Sequence, residues 1–316
     1  MKKFLLHIFL FLLTLVAGVV ILFSIPVDRK YAYNFISKGG CQGRPPWIYQ
    51  RIYEDTTAID IAFIGTSHTM NAVNDEWLEK TLFDSTGKRL TVRNLSFCGF
   101  GRDFDYVLVK DLVEHKKVKA LVLEVRENES QLGHLSFPYV ATSSELFTAP
   151  KYFNRSYLPA IYKALLFRLQ YLRESFTHED IRHQTEIAAS PFGFNGNNGI
   201  ANPEDLDKEA RKALEREKKK NASIENALNT LPQGYINQIA DLAKANGVKL
   251  LFIYLPAYEN RMSETELKTF YAPKGQIIFP DEQVLRDKAN WADYEHLNIS
   301  GEQKISPQIL KVLRSI

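Results

Sequence analysis

Three apolar runs limit this chain more than any other feature. They are Ile59-Asp60-Ile61-Ala62-Phe63-Ile64, Val118 to Val125 (VKALVLEV) and Val248 to Tyr254 (VKLLFIY). Each is short for a buried helix and too continuous for a strand with one wet face. Such runs suit strands covered on both faces, as in a parallel sheet. Leu90 to Phe97 reads as another strand and Gln276-Ile277-Ile278-Phe279 as a fifth. Helical segments fall between them: Glu76 to Phe83 behind an Asn74-Asp75 cap, about Asp103 to His115 with Asp103 as cap, Tyr235 to Asn246 with Gly247 as C-cap, and 302–315 with Ser300 as cap. The alternation predicts an α/β fold with a central parallel sheet of about five strands and helices on both faces.

The pattern breaks between about 126 and 231. This stretch holds an amphipathic, aromatic segment at 157–174, an Asn/Gly loop at 195–199 and a charged helix opened by Pro203, and it predicts a mainly helical insertion or cap. The 157–174 stripe reads as core or membrane-proximal surface. Residues 28–57 form a connector, either a stalk or an arm packed on the domain; 58–316 are then one domain carrying the insertion.

Phe4 to Val27 contains no Asp, Glu, Lys or Arg, long enough to cross a bilayer as a helix. Lys2 and Lys3 precede it, which favours an N-inside orientation. A cleaved signal peptide is the other reading, but a small-x-small site is missing before Pro26. In Leu15-Val16-Ala17-Gly18 a lipoprotein box lacks its cysteine, because Val19 follows. The expectation is an uncleaved anchor through residues 4–27, with 28–316 outside the cytoplasm, periplasmic or at the cell surface. The net charge is +3 and charged residues make up 24% of the chain, which gives a mixed-charge surface rather than a nucleic-acid groove. Cys41 and Cys98 are the two cysteines; outside the cytoplasm they form either a disulfide or two separate buried thiols. No C-x-x-C supports a thiol-redox protein.

Ser67, in Gly65-Thr66-Ser67-His68, follows the first strand, and Asp293-Tyr294-Glu295-His296 follows the last. In open parallel sheets, sites form at the carboxyl ends of strands. A serine hydroxyl needs a base to take its proton, and a histidine base needs a carboxylate to orient it. A three-residue step lets Asp293 hold one imidazole nitrogen of His296 while the other faces Ser67. The nucleophile elbow of α/β-hydrolases, G-x-S-x-G, is a worse match, since Thr69 replaces its second glycine.

These residues resemble the GDSL/SGNH hydrolase superfamily. Gly65-Thr66-Ser67 is similar to its first block, with Thr66 in place of the usual aspartate. Asn94-Leu95-Ser96-Phe97-Cys98-Gly99 resembles the second block, and Asp293-x-x-His296 with Leu297-Asn298 the fifth. The resemblance covers most of 59–125 and 235–316. It implies a three-layer α/β/α fold of flavodoxin-like kind, Ser67 as nucleophile, His296 as base and then acid, and Asp293 as its orienting residue. It further implies an oxyanion hole of the Ser67 and Gly99 backbone N–H groups, with Asn128 in the role of the third-block asparagine, although Asn128 stands later than that block's usual place. No cofactor is expected. His178 and His183 have the wrong step for a helical metal pair, so no metal is expected there.

Other candidates carry two readings each. His68 either binds substrate or positions its loop. Arg102 either contacts an anionic substrate or pairs with Glu124 or Glu127. Glu127 and Arg126 either bind substrate or brace their loop. His134 either lines the cleft or packs in a loop, and Trp291 reads as packing rather than as a sugar platform. The expectation is a membrane-anchored serine esterase or acyltransferase acting on O-acyl groups of an extracytoplasmic glycan or other envelope component. It resembles glycan O-acetyltransferases and the D-alanyl-transfer proteins of teichoic acid modification, which work beside multi-spanning membrane acyltransferases. The alternative is a catalytically inactive binding or assembly module of the same fold that partners such an acyltransferase.

Overall fold

The computed structural model describes residues 1–37, 41, 43–126, 129–149, 154–177, 189–219, 222–262 and 264–316. Helix α1 (Lys2–Ser24) is long and apolar enough to cross a membrane, and nearly all of its surface is exposed. Its last turn differs, because Leu22 and Phe23 are buried against the domain.

The connector is an arm, not a stalk. Asp28 caps α2 (Arg29–Ile36) by accepting from the Tyr31 N–H at 2.8 Å. Gly43 caps α3 (Arg44–Tyr49), which carries Pro45 in its first turn and runs into a π-helical turn, Gln50–Glu54. Tyr33, Trp47, Ile48 and Ile52 of this arm are buried in the main core. Two polar anchors fix it. Arg29 pairs with buried Asp111 at 3.0 Å, and Tyr33 donates to the same carboxylate. Cys41 and Cys98 form a disulfide, with Cα atoms 6.2 Å apart.

The sheet comprises β1 (Ile61–Ile64), β2 (Val92–Asn94), β3 (Ala120–Val125), β4 (Lys249–Tyr254) and β5 (Gln276–Ile278), in the order β2-β1-β3-β4-β5. All four pairings are parallel, with Ile61 opposite Val92 and Ala120, and Val125 opposite Tyr254. Every residue of β1 and β3 is buried, as continuous apolar runs require. Successive strand residues point to opposite faces. Ala62, Ile64, Leu121, Leu123 and Phe252 join one core with Phe104, Leu108 and Leu112 and with Ile236 and Ile239. Ile61, Phe63, Val122, Leu251 and Ile253 join another with Leu78, Leu82, Ile305 and Ile309.

Between the strands lie α4 (Ser67–Ala72), α5 (Asp75–Thr86, capped by Asn74) and α6 (Arg102–His115). Asp103 sits in the first turn of α6 instead of capping it; Gly101 holds the cap position. The insertion contributes α7 (Phe137–Val140), α8 (Ser143–Thr148), α9 (Tyr157–Thr177) and α10 (Pro203–Lys218). Then follow α11 (Ala222–Ala245), α12 (Glu264–Tyr271), α13 (Glu282–Arg286) and α14 (Ile299–Leu313). Asn298, not Ser300, caps α14, accepting from the Gly301 N–H at 3.1 Å; the Ser300 hydroxyl is turned to Asn290.

Candidate functional site

Ser67 is the first residue of α4, directly beyond β1. Thr66 caps that helix, its hydroxyl accepting from the His68 N–H at 3.2 Å. The turn depends on Glu124 of β3, which is 1% exposed. Its carboxylate accepts from the Thr66 N–H at 2.7 Å, the Thr69 N–H at 3.2 Å and both threonine hydroxyls at 2.6–3.1 Å. Gly65 permits this approach: a Cβ there would stand 2.5 Å from Glu124 atoms and 2.6 Å from the Thr69 hydroxyl. Thr66 therefore donates its hydroxyl to a carboxylate supplied by the neighbouring strand.

The His296 loop has its own frame. Leu297 bridges Trp291, and Ala292 N–H donates to the His296 carbonyl at 2.9 Å. Asp293 Oδ1 accepts from the Glu295 and His296 N–H groups at 2.8 and 2.9 Å, closing the turn. Asn298 ties the loop to the Ala289 carbonyl at 2.8 Å. Trp291 is buried packing, its ring N–H donating to the Leu285 carbonyl.

The structure brings the two loops together. His296 Nε2 lies 2.7 Å from Ser67 Oγ, and His296 Nδ1 lies 2.9 Å from each oxygen of Asp293. Partial burial alone would raise the Asp293 pKa, but hydrogen bonds from His296 and from the backbone outweigh it and hold the carboxyl below its ordinary value. An ionised Asp293 keeps the proton on Nδ1 and leaves the Nε2 lone pair for the serine. Among the described residues, neither the Ser67 nor the Gly99 N–H finds an acceptor.

A strap from the insertion joins both loops. Asp75, on α5, accepts from the Gly193 and Phe194 N–H groups at 2.8 and 3.0 Å. Asn195 N–H donates to the Met70 carbonyl, while Ile299 N–H donates to the Asn197 carbonyl and Ala201 N–H to that of Trp291. Arg44 of the arm donates to the carbonyls of Ser96, Gly193 and Asn94, and burial lowers its pKa to about 10.

The remaining candidates separate by environment. His68 is buried and donates from Nδ1 to the Leu255 carbonyl at 3.2 Å, which is the loop-positioning role. Burial, then Arg126 and His296, hold it neutral, well below the ordinary histidine range. Among the described residues its Nε2 has no hydrogen-bond partner. Ligand atoms of His68, Glu295 and His296 lie within 4.8 Å of one another, close enough for a cation after small shifts. The Arg126 guanidinium, 4.0 Å from Glu295 and stacked on Phe100, opposes a positive charge there. Arg102 is buried and committed: it pairs with Glu129 at 2.6 Å and Asp105 at 2.9 Å and donates to the Glu124 carbonyl. Of the two carboxylates the sequence suggested, that of Glu124 is turned to the serine turn instead, and Glu127 lies outside the described residues. His134 packs as a loop histidine, stacked on Phe104 with centroids 4.7 Å apart, donating from Nε2 to the Cys98 carbonyl and accepting the Ser136 N–H on Nδ1. It also borders an open cavity of about 830 Å³ shared with Phe97, Gly99, Leu135 and Tyr139. Gly99 has φ +96°, and a Cβ there would stand 2.8 Å from His134 Nε2. Glu127, Asn128, His178 and His183 lie outside the described residues.

Sequence reasoning missed Glu124 as the clamp of the serine turn, and Asp75 and Arg44 as holders of the strap. The one signal for Glu124 was a lone acid inside a buried apolar run. No protein-family model matches the chain, and no curated protein matches it.

Proposed function

We propose that this protein is a membrane-anchored SGNH-type serine esterase or acyltransferase with a three-layer α/β/α domain outside the cytoplasm. The observation that carries the reading is the Ser67–His296–Asp293 chain, with contacts of 2.7 and 2.9 Å. The disulfide supports an oxidising compartment, and α1 supports the anchor.

In this reaction His296 Nε2 takes the Ser67 proton as Oγ bonds to the ester carbonyl carbon. The carbonyl electron pair moves onto oxygen, where the N–H groups of Ser67 and Gly99 are suited to receive it. Collapse breaks the bond to the leaving alkoxide, which takes the proton from His296. Water or a sugar hydroxyl then attacks the acyl-Ser67, giving its proton to His296, and the second collapse returns that proton to Ser67. Water makes the protein an esterase; a glycan hydroxyl makes it a transferase. The substrate class is an O-acylated glycan or similar envelope component, and a multi-spanning membrane acyltransferase is the natural acyl donor partner.

Labelling of the full chain in detergent with a fluorophosphonate tests the reading. Label on the wild type and none on Ser67→Ala is expected. Equal labelling of both would remove Ser67 as nucleophile, and no labelling of the wild type would favour a binding or assembly module. Acetate released from an acetylated xylan without any acceptor marks an esterase; acyl transfer only with the membrane partner present marks a transferase.

A further inference from the structure

Helix α9 is apolar on the side it turns away from the protein. Ala160, Ala164 and Phe167 face the core. Leu158, Tyr162, Leu166, Leu169 and Phe176 are exposed, Leu158 by 76% and Phe176 by 81%. At about 100° per residue these five share one stripe no more than about 80° wide, with Arg173 the one charge in it. Ile161, Leu165 and Leu172 widen the stripe toward Arg168. An exposed apolar stripe of this length beside a polar arc of Lys163, Gln170 and Glu174 is the pattern of an amphipathic helix whose outer face is covered.

Position identifies the cover. Arg168 stacks over the Phe23 ring at 4.7 Å and donates to the Ser143 hydroxyl, which in turn donates to the Phe23 carbonyl. Phe147, itself half exposed, packs edge-on against Phe23 at 5.1 Å. Counting from Phe4, about 20 helical residues span a hydrocarbon layer of about 30 Å, which ends near Phe23. That is where α1 stops being exposed and the domain begins. Helix α9 therefore touches α1 where the hydrocarbon layer would end, through Arg168 at the edge of its apolar arc.

We propose that the outer face of α9 is seated in the interfacial layer of the same bilayer, as an amphipathic helix lying on the membrane. The inference rests on the reading of α1 as a transmembrane anchor. It gives the domain two membrane contacts, which fix the tilt of the candidate site instead of leaving it to swing on one helix.

The test uses the full chain, disulfide intact, in phosphatidylcholine vesicles with or without bromine on the acyl chains. An NBD fluorophore is attached to Leu166→Cys, to Val16→Cys in α1, and to Leu214→Cys on the exposed side of α10. The expected result is a blue-shifted emission at 166 that loses at least about half its intensity in brominated lipid, as at 16, with 214 unchanged. Quenching at 16 with 166 as unquenched as 214 would overturn the α9 proposal and leave the anchor standing. No quenching at 16 would overturn the anchor and the α9 proposal with it. Protection of 166 in native membranes but not in these vesicles would assign the face to a protein partner and also overturn the proposal.

Discussion

Replacing Glu124 tests whether one buried carboxylate shapes the turn that presents Ser67. In Glu124→Ala, two amides, of Thr66 and Thr69, lose their acceptor in a dry interior. An orphaned buried donor costs about 1–3 kcal/mol, so two of them and the lost packing cost about 4 kcal/mol. The two threonine hydroxyls can rotate to other acceptors and add less. In Glu124→Gln the amide oxygen can keep both amides and the Thr69 hydroxyl, while the new NH₂ faces the Thr66 hydroxyl, which turns to accept. Only the charge reinforcement is lost, about 1–2 kcal/mol. The assay is urea unfolding of the full chain in detergent, followed by tryptophan fluorescence, with m-values compared to exclude a change in the unfolded state. Fluorophosphonate labelling is the second readout, and it should slow in the alanine variant more than in the glutamine one. The reasoning fails if Glu124→Ala costs under about 1 kcal/mol, or if the glutamine costs as much as the alanine.

Three further outcomes are expected. Asp293→Asn should leave unfolding unchanged but slow labelling of Ser67 and ester hydrolysis roughly a thousand- to ten-thousandfold, because an amide no longer fixes the Nδ1–H tautomer; unchanged kinetics would remove Asp293 from the mechanism. Burial lowers the His134 pKa to about 4 despite the Cys98 carbonyl bond. The folded state therefore binds fewer protons than the unfolded one: this contribution is complete above pH 6.5 and is lost as pH falls toward 4, to about 3 kcal/mol. Asp103, pushed up to about 7 by burial, works in the opposite direction, so the difference between wild type and His134→Gln is the quantity to measure across that window; a flat difference would refute the assignment. Replacing Cys41 and Cys98 together by serine opens a loop with a sequence separation of 57, worth about 4 kcal/mol by chain entropy, which denaturant midpoints under non-reducing conditions will show.

What the sequence disclosed, it disclosed through local signals. The strands at 61–64, 120–125 and 249–254 are continuous apolar runs, and their parallel pairing followed from the helices between them. The step from Asp293 to His296 is local too, and the Asp293 side chain closes that turn on the His296 N–H. The short strands are shorter than their apolar runs: Leu90 to Phe97 reduces to Val92–Asn94, although the Leu95 and Phe97 N–H groups still donate to the Phe63 and Gly65 carbonyls beyond it. The cap of α14 was misplaced because Asn298 and Ser300 both fit and only the position of Asn290 decides between them. Glu124 was hidden because a glutamate in a strand ordinarily marks a wet face; here its partners come from a turn more than fifty residues earlier. The arm looked aperiodic for a similar reason, since Arg44 and Tyr33 are satisfied by groups far along the chain.

The Cys41–Cys98 bond closes a covalent ring, and Ser67 lies inside it while Glu124, Asp293 and His296 lie outside. A single backbone cut anywhere within that ring opens it without detaching a fragment, so the serine stays joined to both ends of the chain. A cut between 98 and 293 separates serine from histidine covalently and leaves only hydrogen bonds and packing to hold them in register. Under non-reducing conditions, limited proteolysis thus tolerates nicks in the first region and makes the second the one through which the pair can be lost.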